Sequence, residues 1–238
     1  MEGIQFEKYE LANGLDVILH VDRSDPVVAI DLTAHVGSAR ELPGRTGFAH
    51  LFEHLLFLDS ENLGYGGLDE MNTRIGGEGT NGYTTNDVTK YFQAVPSDGL
   101  EKIIWAEADK LGYFIKTVSQ EVIDNEKQVV KNEKRQRVDN QPFGHSWYVI
   151  GKALYPENHP YNWQVIGSLA DLDAASLSDV KNFFTDWYTP DNVTITLAGD
   201  FDPAQAKTMI DKYFGDIPAP TSADAKDTVA PMPAALEA

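Results

Sequence analysis

Three features that this chain of 238 residues lacks limit its functional class. It has no cysteine, so disulfides are excluded and any zinc site must use histidine and carboxylate ligands. It has no apolar run near the roughly 18 residues of a membrane span, and its polar N-terminus does not resemble a signal peptide. We expect no membrane span. The compartment stays open: cytoplasmic, or bacterial periplasmic or extracellular if an upstream signal was removed.

Positive charge is also scarce. The chain has 19 lysines and arginines against 37 aspartates and glutamates, a net charge of −18. Such a surface repels phosphates and argues against a nucleic-acid partner. It suits peptides that carry Lys or Arg, although solubility alone also explains it.

The most informative stretch present is Phe48–Leu58, which is predicted to be helical and apolar around most of its circumference. His50 and His54 lie one turn apart, with Glu53 between them in the same sector. Ionisable groups on a buried helix need a partner that offsets their desolvation, and a divalent cation is the obvious one. His-x-x-Glu-His is the inverzincin pattern, in which both imidazoles bind zinc and the glutamate acts on a water. It needs a third ligand.

A second predicted helix, residues 119–137, supplies candidates for that ligand. Its valines and isoleucine share one face with Glu126 and Glu133, seven residues apart. Its lysines, by contrast, are expected on the solvent side: Lys127, Lys131 and Lys134. Carboxylates among valines need a cation or a shared proton. One of the two glutamates is therefore expected to bind zinc and the other to support the ligands.

These motifs together resemble the pitrilysin/insulinase family of zinc peptidases, which includes the mitochondrial processing peptidases. They are His50-x-x-Glu53-His54, followed by Glu126-Lys-Gln-Val-Val-Lys-Asn-Glu133. The resemblance implies that His50, His54 and Glu133 hold one Zn²⁺ per chain. It also implies that Glu53 is the catalytic base and that Glu126 is the supporting carboxylate of the catalytic group.

The resemblance extends to a predicted hairpin over residues 79–95. Its sequence Asn81-Gly82-Tyr83-Thr84, then Asp87-x-Thr89-x-Tyr91, is similar to the family's Asn-Ala-x-Thr and Asp-x-Thr-x-Tyr. The resemblance implies an edge strand to which a peptide substrate adds, with Asn81, Gly82 and Thr84 as binding residues. Gly82 replaces the usual alanine, and one extra residue follows the preceding glycine pair. Without the resemblance, Asn81-Gly82 reads as a turn.

The remaining pattern completes a fold prediction. Early strands, central helices and a late strand predict an α+β domain, a mainly antiparallel sheet with helices packed on one side. The resemblance sharpens this to the metallohydrolase domain of the insulinase and mitochondrial processing peptidases. We expect one domain over residues 1–218 and an Ala/Pro-rich linker or disordered tail over 219–238. Thr46, Ser97 and Ser176 are predicted helix caps.

Other histidines and aromatic residues have simpler readings. His20 and His35 are expected to be ordinary strand positions, His145 a packed or solvated side chain, and His159 part of a structural turn. The aromatic helix predicted over residues 143–154 is expected to pack into the core.

The leading expectation is a zinc endopeptidase that acts on peptides or unfolded polypeptides. Alternatives are a non-catalytic peptide-binding or assembly subunit of the same family, and a purely structural metal site. The resemblance implies a second domain or subunit of like fold, which supplies an Arg and a Tyr to the substrate. We therefore expect this chain alone to be an incomplete enzyme.

Overall fold

The computed structural model describes residues 3–220. Residues 221–238, most of the predicted tail, lie outside the described residues, so the boundary at 218 stays a prediction. No helix between residues 3 and 220 has the length and apolarity needed to cross a membrane.

A six-stranded sheet organises the chain, with the strand order β1-β2-β6-β3-β5-β4. Only the β2–β6 pair among these six strands is parallel, so the sheet is mainly antiparallel as predicted. Glycine at position 14, with φ of 92°, makes the tight turn between β1 and β2. The strands are β1 Glu7–Glu10, β2 Asp16–Val21, β3 Val27–Ala34, β4 Glu78–Thr84, β5 Thr89–Pro96 and β6 Val193–Gly199.

Eight α-helices accompany the sheet in the described part of the chain. They are α1 Phe48–Leu58, α2 Gly67–Ile75, α3 Leu100–Tyr113, α4 Gln120–Lys134, α5 Ser146–Leu154, α6 Leu169–Ala174, α7 Leu177–Trp187 and α8 Pro203–Phe214. A π-helical turn, Arg135–Asp139, directly follows α4.

Buried and exposed side chains alternate along the strands, so one face of the sheet packs against these helices. In β3, Val28, Ile30 and Leu32 are buried, whereas Ala29 between them is exposed. Leu51 and Leu55 of α1 belong to the same core and are fully buried. Each such side chain contributes about 1.5–3 kcal/mol on burial. The α+β prediction with helices on one side is therefore confirmed.

Two of the three predicted caps are wrong. Helix α1 has Gly47 as its N-cap, and the Thr46 hydroxyl donates instead to Asp171 at 2.5 Å. Ser97 starts a short 3₁₀ turn, and α3 begins only at Leu100 without a side-chain cap. The third is confirmed, because Ser176 forms a capping box at the start of α7.

The burial expected for the aromatic helix is also wrong. Helix α5 is present, but its large apolar side chains face solvent. Trp147 is 69% exposed, Ile150 40% and Leu154 51%, and Phe143 just before the helix is 92% exposed. Only Gly151 within α5 is buried, against the backbone of residues 161 and 162.

Strand β4 forms one edge of the sheet and pairs only with β5. Its register shifts between Glu78 and Asn81, where Gly79 adopts a φ of 68°. The extra residue noted in the sequence is thus accommodated as a bulge. Asn81 and Gly82 lie within the strand, so the alternative of a turn there is wrong.

Candidate metal centre and peptide groove

The N-terminus of α1 is held in place by contacts from distant residues. Both carboxylate oxygens of buried Glu41 accept backbone hydrogen bonds, from Gly47 at 3.0 Å and Ala49 at 2.9 Å. Gly47 has a φ of 89°, and a Cβ there would lie 2.9 Å from the Ile166 carbonyl oxygen. Glycine is therefore required, and the direction of the helix is set by tertiary contacts.

Helices α1 and α4 bring His50, His54 and Glu133 together. Glu133 Oε2 lies 3.7 Å from His50 Nε2 and 3.2 Å from His54 Nε2. One possible ligand atom from each of the three residues falls within 4.8 Å of the others. The sequence-predicted ligand set is thus assembled in one place.

This arrangement fits a zinc ion. Tetrahedral zinc with bonds of about 2.0–2.2 Å holds its ligand atoms about 3.3–3.6 Å apart, close to both measured distances. Glu133 Oε2 is buried and accepts no hydrogen bond from the described residues, so a cation is its missing partner. Burial, reinforced by the neighbouring His54, lowers the pKa of His50 to about 4, which keeps this imidazole neutral. A neutral imidazole is the form that binds a metal.

Glu126 lies behind His54 rather than in the ligand cluster. Its Oε1 is 2.8 Å from His54 Nδ1. A carboxylate only accepts, so Nδ1 carries a proton, and Nε2, which faces Glu133, is the atom that would bind a metal. Burial lowers the pKa of His54, but the hydrogen bond and charge of Glu126, with the other nearby glutamates, raise it overall. The two glutamates of α4 therefore occupy different positions around His54.

Glu53 faces the same cleft from α1. Its Oε2 accepts a hydrogen bond of 2.6 Å from the Thr84 hydroxyl of β4, which holds the carboxylate beside the cluster. Burial raises the pKa of Glu53, and the Thr84 hydrogen bond works in the opposite direction. This glutamate binds none of the cluster residues and is available as a proton acceptor.

Glycine at position 82 allows β4 to lie close to α1. A Cβ there would lie 3.2 Å from Glu53 Cγ, 3.1 Å from the Phe57 ring and 2.7 Å from the Lys90 carbonyl oxygen. The absence of a side chain thus permits the contact between Thr84 and Glu53. Asn81 is exposed, and its side-chain oxygen accepts from the Gly82 amide.

The cluster opens into a cleft of about 900 Å³ between β4, α1 and the end of α4. Residues Asn81–Thr84 form one side, and the other side includes Val138, Val165 and Ile166. The cleft therefore has the volume for several residues of a peptide, and it lies beside a strand edge with unpaired backbone groups.

The lysines of α4 correct the sequence-based expectation. Lys127, Lys131 and Lys134 are buried, not solvated, with 5–9% exposure. The ammonium group of Lys127 donates to the Ala175 carbonyl, and that of Lys131 contacts Asp173. The long side chains follow the helix surface to polar partners that local periodicity does not show.

Two polar residues at the site were missed by the sequence reasoning. Arg137, on the π-helical turn, forms an ion pair with Glu133 Oε1 at 2.7 Å and leaves Oε2 for the cluster. The spacing of four residues from Glu133 is the signal that could have identified it. Glu41 carries no comparable signal, because it contacts α1 through a loop.

None of the other four histidines lies in the cluster. His20 contacts the Gln5 carbonyl oxygen, and His35 lies near the Thr194 hydroxyl. His145 is exposed, 3.5 Å from Asp139. His159 Nδ1 accepts from the Tyr161 amide within a turn, as expected.

Comparison with known proteins places this geometry in context. Residues 16–147 match the family model described as Insulinase (Peptidase family M16), and residues 174–236 match that of the Peptidase M16 inactive domain. The chain is 32% identical over 209 residues to the zinc protease PqqE of Helicobacter pylori, covering 87% of this chain and 46% of the relative. It is 25% identical to the mitochondrial-processing peptidase subunit beta of Blastocladiella emersonii, covering 87% and 44%.

Among solved structures, a protease from Helicobacter pylori superimposes with a TM-score of 0.85 at 29% identity. The match covers 96% of this chain and 53% of that structure. The chain spans about half the length of the curated relatives it matches. The first family model alone accounts for more than half of the sequence, and the chain therefore belongs to the insulinase family of zinc peptidases, peptidase family M16.

Proposed function

We propose that this chain is the zinc-bearing half of an endopeptidase that cleaves peptides or unfolded polypeptides. One zinc per chain would be held by His50, His54 and Glu133. The convergence of their three ligand atoms beside the Glu53 carboxylate is the observation that carries the proposal. Three protein ligands of this kind leave a fourth position open, which distinguishes catalytic from structural zinc sites.

The chemistry requires a proton acceptor beside the metal. Zinc at this site would lower the pKa of a water toward about 7 and polarise the scissile carbonyl. Glu53 would accept the proton of the attacking water and return it to the amine that leaves. The Thr84 hydroxyl orients this carboxylate at 2.6 Å, and Glu126 holds His54 in the required tautomer.

The edge of β4 offers the means of holding a substrate. An extended peptide that adds to this edge would form main-chain hydrogen bonds along residues 81–84. The Asn81 amide would bond the substrate backbone, and Gly82 keeps the strand near Glu53. Binding through the backbone favours unfolded segments, because folded proteins have already paired these groups.

Substituting Glu53 tests the catalytic role. Glu53→Gln should retain stoichiometric zinc and lose cleavage of an unfolded reporter peptide, since the amide cannot accept the water's proton. Glu61→Gln, just after α1 and exposed, is the matched control and should keep full turnover. Full activity of Glu53→Gln would remove this residue from the mechanism.

We also propose that a second domain or subunit of like fold completes the enzyme. The support is the length of the relatives, about twice that of this chain. An absent donor to the oxyanion typically costs about 10²–10³ in turnover, and an open cleft admits water. Cleavage by residues 1–238 alone should therefore be weak and should rise when the missing half is added at equal zinc occupancy. Equal rates would contradict this part.

A non-catalytic role is disfavoured by the same cluster. A peptide-binding or assembly subunit has no need for three converging ligand atoms with a glutamate beside them. Chains that bind the reporter peptide without binding zinc would favour that alternative. Stoichiometric zinc without cleavage under any reconstitution would favour a structural metal site.

A further inference from the structure

Helix α5 presents an unusual apolar surface. Trp147, Ile150 and Leu154 follow one another at spacings of three and four residues, so they share one face of the helix. All three are 40–69% exposed. An exposed apolar stripe of this kind indicates a binding surface.

The stripe forms one wall of a cavity of about 270 Å³, called here the apolar groove. Its lining consists of Trp147, Ile150, Leu154, Tyr161, Trp163 and Val165, with a few neighbouring residues. Pockets for drug-sized ligands measure about 300–1,000 Å³, so this groove has the size for one or two amino-acid side chains.

Two aromatic residues of its lining, Tyr161 and Trp163, have their polar atoms already paired. Trp163 Nε1 donates to the Ser38 carbonyl oxygen at 2.8 Å, and the Tyr161 hydroxyl donates to the Asp87 carboxylate at 2.7 Å. These two rings therefore present mainly hydrocarbon surface to the groove. That chemistry favours a large apolar or aromatic side chain over one that needs hydrogen bonds.

The apolar groove adjoins the cleft beside the ligand cluster, called here the metal cleft. Val165 lines both cavities. Residues 81–84 of β4 line the metal cleft, and Asn86, in the turn that follows β4, lines the apolar groove. An added strand advances about 3.3 Å per residue, so a peptide along β4 would reach the groove within about five residues of the metal.

We propose that the apolar groove binds a large apolar side chain of the peptide substrate, several residues from the scissile bond. The inference rests on the proposed peptidase function and adds a specificity-determining subsite to it. The residue Val165 shared by the two cavities, and the position of Asn86 just beyond β4, favour a peptide as the occupant over the remaining half of a longer chain.

Binding can be measured apart from cleavage. The probe is a fluorescein-labelled dodecapeptide of Ser, Gly and Ala, in which one Phe is moved through successive positions. Anisotropy is recorded with the zinc-loaded Glu53→Gln chain. We expect one or two Phe positions to bind about tenfold tighter than the all-small peptide, since burying a ring contributes about 1.5–3 kcal/mol, or about 10–150-fold.

Variants then assign this gain to the groove. Trp147→Ala and, independently, Ile150→Ser should each reduce the Phe preference at least about threefold without changing affinity for the all-small peptide. Phe6→Ala is the matched control, since Phe6 is 62% exposed and immediately precedes β1 at the opposite edge of the sheet. Far-ultraviolet circular dichroism checks that each variant is folded.

The outcomes separate the subsite from the peptidase function. The subsite is overturned if both groove variants keep the full preference for Phe, or if the Glu53→Gln chain itself shows no preference for Phe. A Phe preference that depends on the groove, together with no peptide cleavage by the chain that retains Glu53, supports the subsite and contradicts the peptidase function.

Discussion

Helices α1 and α5 are both rich in apolar residues, yet they have opposite surroundings. Leu51, Phe52 and Leu55 of α1 are fully buried. Trp147 and Leu154 of α5 are more than half exposed. Apolar content therefore does not by itself distinguish a core helix from a helix whose apolar side chains are exposed on the surface.

The two helices also differ in how their N-termini are held. Glu41 accepts two backbone hydrogen bonds at the start of α1, whereas the N-cap residue of α5, His145, makes no side-chain cap hydrogen bond. The proposed metal centre needs precise placement of His50 and His54 on α1, because the ligands of one metal ion must meet at one point.

The largest difference in the free energy of unfolding is expected between substitutions of one leucine in α1 and one in α5. Leu55→Ala should lower the free energy of unfolding by about 2–5 kcal/mol, because it removes buried methyl groups and leaves a cavity. Leu154→Ala, at 51% exposure, should change it by no more than about 0.5 kcal/mol. Urea unfolding of the metal-free chains measures both. Equal losses would contradict the assignment of α1 to the core and α5 to the surface.

A smaller loss is expected at the start of α1. Glu41→Ala should cost about 1–3 kcal/mol, because the Gly47 and Ala49 amides lose their buried acceptors. Glu70→Ala is the matched control, since this exposed residue of α2 makes only a surface ion pair with Arg74. In the same urea titration the free energy of unfolding of the control should change little. An equally small change in Glu41→Ala would mean that other contacts hold the start of α1.

The supporting role of Glu126 predicts a change in metal affinity. Glu126→Gln should weaken zinc binding about 10–100-fold, because His54 loses the carboxylate that fixes its tautomer. Competition with a chromophoric chelator measures this affinity. Complete loss of zinc in this variant, with retention in Glu133→Gln, would exchange the roles of the two glutamates.

The smallest expected change in the free energy of unfolding comes from the helix N-caps. Ser119 accepts from the Val122 amide at the start of α4, so Ser119→Ala should cost about 1 kcal/mol. His145→Ala at the uncapped start of α5 should stay within about 0.5 kcal/mol. Thermal or urea unfolding resolves the pair, and a larger loss at His145 would show that α5 is anchored through its N-terminus.

Much of the fold could be predicted from local patterns. The spacing of His50, Glu53 and His54 placed these residues on one helix face, and the seven-residue spacing of Glu126 and Glu133 placed both toward α1. Alternation identified the strands. These signals come from residues close together in the sequence. They are reliable for helices and strands in which the buried residues recur with the period of the element.

Other features depend on contacts between residues far apart in sequence. The α4 lysines are buried because residues 173–175 and Asp139 supply acceptors, and Glu41 meets α1 through a loop. The exposure of α5 follows from the position of Gly151 against residues 161 and 162. The periodicity within one helix does not show partners that lie far away in the sequence. For that reason the burial of the α4 lysines and the exposure of α5 were predicted wrongly, and the role of Glu41 was not predicted.

Zinc content after dialysis tests the central claim, that α1 and α4 form a metal centre, most directly. The chain is loaded with zinc, dialysed against metal-free buffer and analysed by atomic emission, beside Glu133→Gln and the matched control Glu121→Gln, an exposed residue of the same helix. We expect one zinc per chain in the parent and the control, and none in Glu133→Gln. A parent chain without zinc, or full occupancy in Glu133→Gln, would contradict the account.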